Sequence, residues 1–136
     1  MPPDDPTIPN EEVLYRRVRG DGINTVFDEN LNRLRPSGAA LEISDDGLSV
    51  FLGSVVAEMG LGPAAVANDH PDYGVAECRA GACRALQLGV IRDAIEPAAH
   101  VCDPAHGLVT GQGSRTALKK KASKLARHFV FVVAPP

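Results

Sequence analysis

The sequence predicts a single α+β domain with a small mixed or antiparallel sheet and short helices. Three observations carry that prediction. At 136 residues the chain has room for one buried core and not for two. Its 44% apolar and 23% charged residues are the composition of an ordinary globular domain. Its apolar segments are short and mix period-two with helical patterns, without the regular strand–helix alternation of a parallel α/β sheet.

Taken in order, residues 1–11 hold four prolines and no apolar period, which predicts a flexible N-terminal arm ahead of a domain spanning 12–136. "EVLYRRV" (12–18) alternates as a strand, with Leu14, Arg16 and Val18 on one side and Val13, Tyr15 and Arg17 on the other. Residues 20–47 are rich in Gly, Asn, Asp and Ser and read as loop, with one helical turn around Asn30–Leu34. Asp46–Gly47 is a turn signal before the strand "LSVFL" (48–52). Over 53–60 a short helix competes with a strand, and Pro63 opens one or two helical turns in 61–71. "YGVAEC" (73–78) reads as a strand, 79–89 as a short helix closed by Gly89, and "HGLVTG" (106–111) as a strand. The block 111–128 is a helix, and "FVFVV" (129–133) a final, well-buried strand.

The net charge of −3 hides a segregation. Residues 1–103 hold all 17 acidic side chains and 8 basic ones, net −9, whereas 104–136 hold six basic side chains and no acidic one. No apolar run approaches the roughly 20 residues that span a bilayer, and the N-terminus lacks the basic start and apolar stretch of a secretory signal. A cytoplasmic protein without membrane association is expected. Three cysteines, Cys78, Cys83 and Cys102, argue against a disulfide framework.

On a helical wheel Leu118, Ala122, Leu125 and Phe129 share one face, and Lys120, Lys124 and Arg127 share the opposite one. Ser114 is the capping candidate. A cationic stripe with no interspersed carboxylate is a candidate contact for phosphate, so Ser114, Arg115, Lys120, Lys124 and Arg127 are expected ligand-binding residues. A solvated outer face accounts for the same stripe without any partner. His106, a few residues before this helix, is expected to face the same anion site and to act as general acid or base, with Arg17 and Thr116 beside it. Arg35 and Ser37 in "LRPSGAA" form a second candidate phosphate contact, or simply a turn.

"HVCDPAH" gathers His100, Cys102, Asp103 and His106, and "CRAGAC" spaces Cys78 and Cys83 as C-x4-C, but no pattern of a zinc site is completed and no metal is assigned. No cofactor motif is present either, since "GQGSRT" has neither P-loop nor dinucleotide-binding spacing.

The ordered set "LYRRV", "NLNRLRPSGAAL", "DGLSVFL", "HPDYGVAEC" and "DPAHGLVTG", followed by the basic helix and "FVFVVAPP", resembles a family of small uncharacterised bacterial proteins. That resemblance implies a compact bacterial domain and marks Arg17, Arg35, Ser37, Ser49, His106, Thr116 and Lys120. An arginine on the first strand with Ser49 on a later one also resembles ADP-ribosyltransferase-like folds, which implies a grip on NAD. The functional expectation is a phosphate-ligand or nucleic-acid-binding domain, RNA or DNA, which as an RNA-acting enzyme would use His106 with Arg115 and Lys120. Its rivals are an interaction module, self-associating or docking on an acidic protein, and an ADP-ribosyltransferase-like NAD-binding domain.

Overall fold

Leu14 and Val18 are buried while Tyr15 and Arg17, on the opposite side of the strand, are only half-buried, as in a strand with both faces covered to different depths. The computed structural model describes residues 2–136, and this strand, β1 (Val13–Arg19), lies near the middle of a six-stranded sheet. The other strands are β4 (Leu48–Leu52), β5 (Tyr73–Arg79), β6 (Gly89–Arg92), β7 (His106–Thr110) and β8 (Val130–Val133), in the order β6-β7-β4-β1-β5-β8. Every neighbouring pair is antiparallel. The α+β prediction is therefore met.

Two strands appear where the sequence reads as loop. β2 (Thr25–Asp28) and β3 (Arg33–Pro36) form a separate hairpin, with Asn32 at φ 52 in the turn that the sequence reading assigns to a helical turn. Long polar side chains hold it. Arg35 Nε donates to Asp28 Oδ2 at 2.7 Å across the hairpin, and Arg33 donates to the carbonyls of Arg127 and Phe129 in the body. The Arg35 hydrogen bond holds the Asp28 carboxyl below the usual carboxylate range.

Register divides the core in two. Leu14↔Leu52 and Tyr15↔Phe51 are paired, so Leu14, Val18, Val50 and Leu52 line one face and Tyr15, Arg17 and Phe51 the other. Against the first face pack the 3-10 turn Gly38–Leu41 and α3 (Arg115–Ala126), through Leu118, Ala122 and Leu125, with Phe129 fully buried beyond it. Ser114 caps α3 by accepting from Ala117 N–H at 3.1 Å, as its position predicts. Against the second face lie α1 (Gly53–Glu58) and the 3-10 turns Pro63–Ala67 and Asp103–Ala105, with Val56, Val66, Cys102 and Ala105 around Phe51 and Val75. The last helix, α2 (Ala80–Ala85), buries Ala80 and Cys83 in the first core.

Two further departures concern the edges. β8 closes one end of the sheet with Val130 and Val132 exposed, so only Phe129 of the final apolar run is as buried as expected. The N-terminal arm, expected to be flexible, packs along β6 at the other end: Asp5 N–H donates to Val90 O, Val90 N–H donates to Asp4 Oδ1, and Ile8 is fully buried. Its prolines suit this extended strap, because an edge strand already lacks a partner for their missing N–H groups. Gly89 makes the fit, since any Cβ there would collide with the Pro3 carbonyl.

Candidate functional site

The sheet face without α3 is only partly roofed, and the gap is a cleft of about 470 Å³. β1 contributes Arg17, β4 contributes Ser49 and Phe51, and β7 contributes His106. His106 pairs with Phe51, which pairs with Tyr15, and the same β1–β4 register carried two residues on sets Ser49 across from Arg17. The walls come from His70 and Tyr73 before and at the start of β5, and from Ile95, His100 and Asp103 in the segment between β6 and β7.

Arg17 is the dominant charge. Its Nη1 donates to His70 Nε2 at 2.8 Å, and its guanidinium carbon lies 4.9 Å from the centre of the Phe51 ring. Its Nε is buried with no hydrogen-bond partner, and among the described residues no carboxylate pairs with it. Burial works to loosen its proton, yet guanidinium stays charged. Arg16, one residue earlier, is engaged instead: Nε and Nη2 donate to Ala40 O and Nη1 donates to Ser49 O, tying the 3-10 turn to the sheet. Alternation along one strand thus separates a structural arginine from one with donors to spare.

The three cleft histidines are distinguished by their partners. Arg17 can only donate, so His70 Nε2 accepts and His70 Nδ1–H donates to Asn68 O at 2.9 Å. His100 Nδ1 accepts from Cys102 N–H at 3.0 Å, so its Nε2–H donates to the same Asn68 carbonyl at 2.9 Å. Both rings are fully engaged as neutral imidazoles. His106 differs: Nδ1 faces the Asp93 carbonyl at 3.0 Å and its carboxylate at 3.1 Å, and Nε2 has no partner among the described residues. Its ring meets Phe51 edge-on with centroids 5.6 Å apart.

Asp103 shapes the wall rather than the chemistry. Burial raises its pKa, but the N–H groups of His100 and Ala99, each 2.9 Å from Oδ2, outweigh that and hold the carboxyl below its ordinary range. Cys102 is fully buried, and burial pushes its thiol pKa up, which suits a core side chain and not a nucleophile. Cys78 and Cys83 are buried free thiols, with Cys78 pushed up by its hydrogen bond to Cys83 and by burial. No group of three metal-ligating side chains is assembled among the described residues.

The residues predicted from sequence fall into three places. Arg17, Ser49 and His106 meet in the cleft. Arg35 and Ser37 are engaged in the hairpin, Ser37 Oγ donating to Ile23 O at 2.6 Å and Arg35 bonding Asp28 and the Pro36 carbonyl. Ser114, Arg115, Thr116, Lys120, Lys124 and Arg127 lie on α3, exposed, on the other side of the sheet. The expectation that His106 and the basic helix face one anion site is corrected here. β7 runs from His106 to Thr110 and α3 starts beyond its far end, while Leu118 and Leu125 bind the helix to the opposite face.

Sequence reasoning missed His70, Phe51, Tyr73 and Asp93. Phe51 was accessible from period two, since it shares a strand face with Ser49. The others depend on loop placement. No protein-family model matches the chain, and no curated protein or solved structure matches it significantly.

Proposed function

We propose that the cleft binds a phosphate-bearing nucleotide of the NAD class and that the protein is an enzyme acting on it. The observation that carries this is Arg17, a half-buried guanidinium with no carboxylate partner and a buried, unpaired Nε, stacked on Phe51 and aimed into the cleft. Nε itself is sealed from solvent, but Nη2 makes no hydrogen bond among the described residues and is the donor an anionic ligand would meet. Phe51 and Tyr73 offer aromatic surface beside that charge, and about 470 Å³ is within the range of nucleotide-sized pockets. The resemblance to ADP-ribosyltransferase-like folds rests on Arg16 or Arg17 with Ser49, and of the two arginines Arg17 is the one across from Ser49 on the cleft face.

His106 Nε2 supplies the acid–base group. In transfer from NAD it takes the proton of the attacking hydroxyl as oxygen bonds to the ribose C1′; the bond from C1′ to nicotinamide breaks and its electron pair goes to the ring nitrogen, leaving nicotinamide neutral. Arg17 holds the diphosphate meanwhile. Nicotinamide release from NAD by the full chain is the test. Arg17→Met and His106→Asn are each expected to cut turnover about 100-fold. No turnover and no binding of NAD by the folded wild-type protein would sink the reading.

A second reading keeps nucleic acid on α3. Arg115, Lys119, Lys120, Lys124 and Arg127 are exposed, and no ion pair involving them is found among the described residues. It is tested by oligonucleotide affinity against salt, where removing three phosphate contacts flattens the slope by about three units.

A further inference from the structure

We propose that Asp93 is the positioning residue of the cleft, fixing His106 as the Nδ1–H tautomer with Nε2 bare. The chemistry rests on the nucleotide reading above, but the tautomer does not. Asp93 immediately follows β6, and the β6–β7 register pairs Arg92 with Gly107, which sets Asp93 directly across from His106. Three contacts then join the two residues. Asp93 N–H donates to His106 O at 2.9 Å, and His106 Nδ1–H faces both the Asp93 carbonyl at 3.0 Å and its Oδ2 at 3.1 Å.

Both oxygens can only accept, so the hydrogen must sit on Nδ1. Nε2 then keeps its lone pair. That is the form in which an imidazole can take a proton from a hydroxyl, and the carboxylate beside Nδ1 offsets the positive charge that the ring gains when it does. The contrast with the neighbours sharpens the assignment: His70 and His100 are also locked, but each has both nitrogens committed to protein partners. Asp93 is not itself in the cleft lining, but among the described residues it is the one carboxylate in contact with a histidine ring whose other nitrogen is free. Its side chain is half exposed, so it contributes little to packing, and variants there are expected to fold.

The experiment is long-range proton–nitrogen NMR of the His106 ring in the full chain, beside NAD turnover. Wild type is expected to show a single Nδ1–H tautomer. Asp93→Asn and Asp93→Ala both keep the backbone carbonyl that accepts from Nδ1–H and are expected to retain that tautomer, so the loss of the carboxylate is read in turnover. Turnover is expected to fall in kcat rather than KM, about tenfold for Asp93→Ala and less for Asp93→Asn, a fraction of what losing the acid–base group would cost. An Nε2–H tautomer in wild type or in Asp93→Ala, or turnover unchanged in Asp93→Ala, would overturn the assignment. If wild type leaves NAD intact, the nucleotide reading falls and the ring spectra still decide whether the Asp93 carbonyl fixes the His106 tautomer.

Discussion

The two faces of the central sheet treat positive charge in opposite ways. On the α3 side the cations are numerous and hydrated: Lys120, Lys124 and Arg127 stand exposed above an apolar seam of Leu118, Ala122 and Leu125 that fills the sheet face beneath. On the other side one cation, Arg17, lies half-buried with an unpaired donor, above a face that its covering elements leave open. A hydrated lysine costs the fold almost nothing and gains it at most about 1 kcal/mol from any pairing. A half-desolvated guanidinium held only by a neutral ring nitrogen and an aromatic face is costlier to keep. The rarer feature therefore says more about function than the denser one, and the basic block that dominates the sequence is the less informative half of the molecule.

That contrast can be broken from either side. The largest effect is expected on the α3 face, where Leu125→Ala removes a fully buried side chain and should destabilise the fold by about 2–5 kcal/mol in a denaturant titration. A loss below about 1 kcal/mol would mean the seam is not the main core. On the cleft face the effect on stability is expected to be small. Arg17→Met keeps apolar contact with Phe51 and removes a poorly satisfied charge, but leaves His70 Nε2 without its donor, so turnover falls about 100-fold while the melting temperature shifts by no more than a few degrees either way. A large drop in melting temperature would make Arg17 a structural residue.

Smaller effects sharpen the comparison. Replacing Lys120, Lys124 and Arg127 together by Ala is expected to change NAD turnover less than about twofold, because the sheet separates them from the cleft; a tenfold loss would join the two faces functionally. Acid should loosen the hairpin before the core. The Asp28 carboxyl is depressed by Arg35, so its contribution is present above its unfolded pKa near 4 and fades as pH falls through the lower folded value. Protection factors of the amides in 25–36 should then fall ahead of those in β1 as pH is lowered to about 3.

Much of this fold was legible in the sequence, and the cleft was legible in part. β1 carries a period-two alternation, β4, β5 and β7 are short apolar runs that local reading detects, and Ser114 announces the start of α3. The hairpin was hidden because its support is long-range: Arg33 reaches carbonyls at 127 and 129, nearly a hundred residues away. β6 is only four residues long, and its pairing with β7 decides it more than its composition does. His106 and Arg17 stood out as residue types, but proximity along the chain assigned His106 to the wrong neighbours. β7 carries the chain away from His106 before α3 begins, and register, invisible without the sheet, supplies Phe51 and Asp93 instead.

The most direct test of the central claim is backbone and ring NMR of the full chain titrated with NAD. The expected result is saturable shifts at Arg17, Ser49, Phe51, His70 and His106, with residues 115–127 unmoved. Shifts confined to α3, or none at saturating NAD, would contradict the assignment of the cleft as the ligand site.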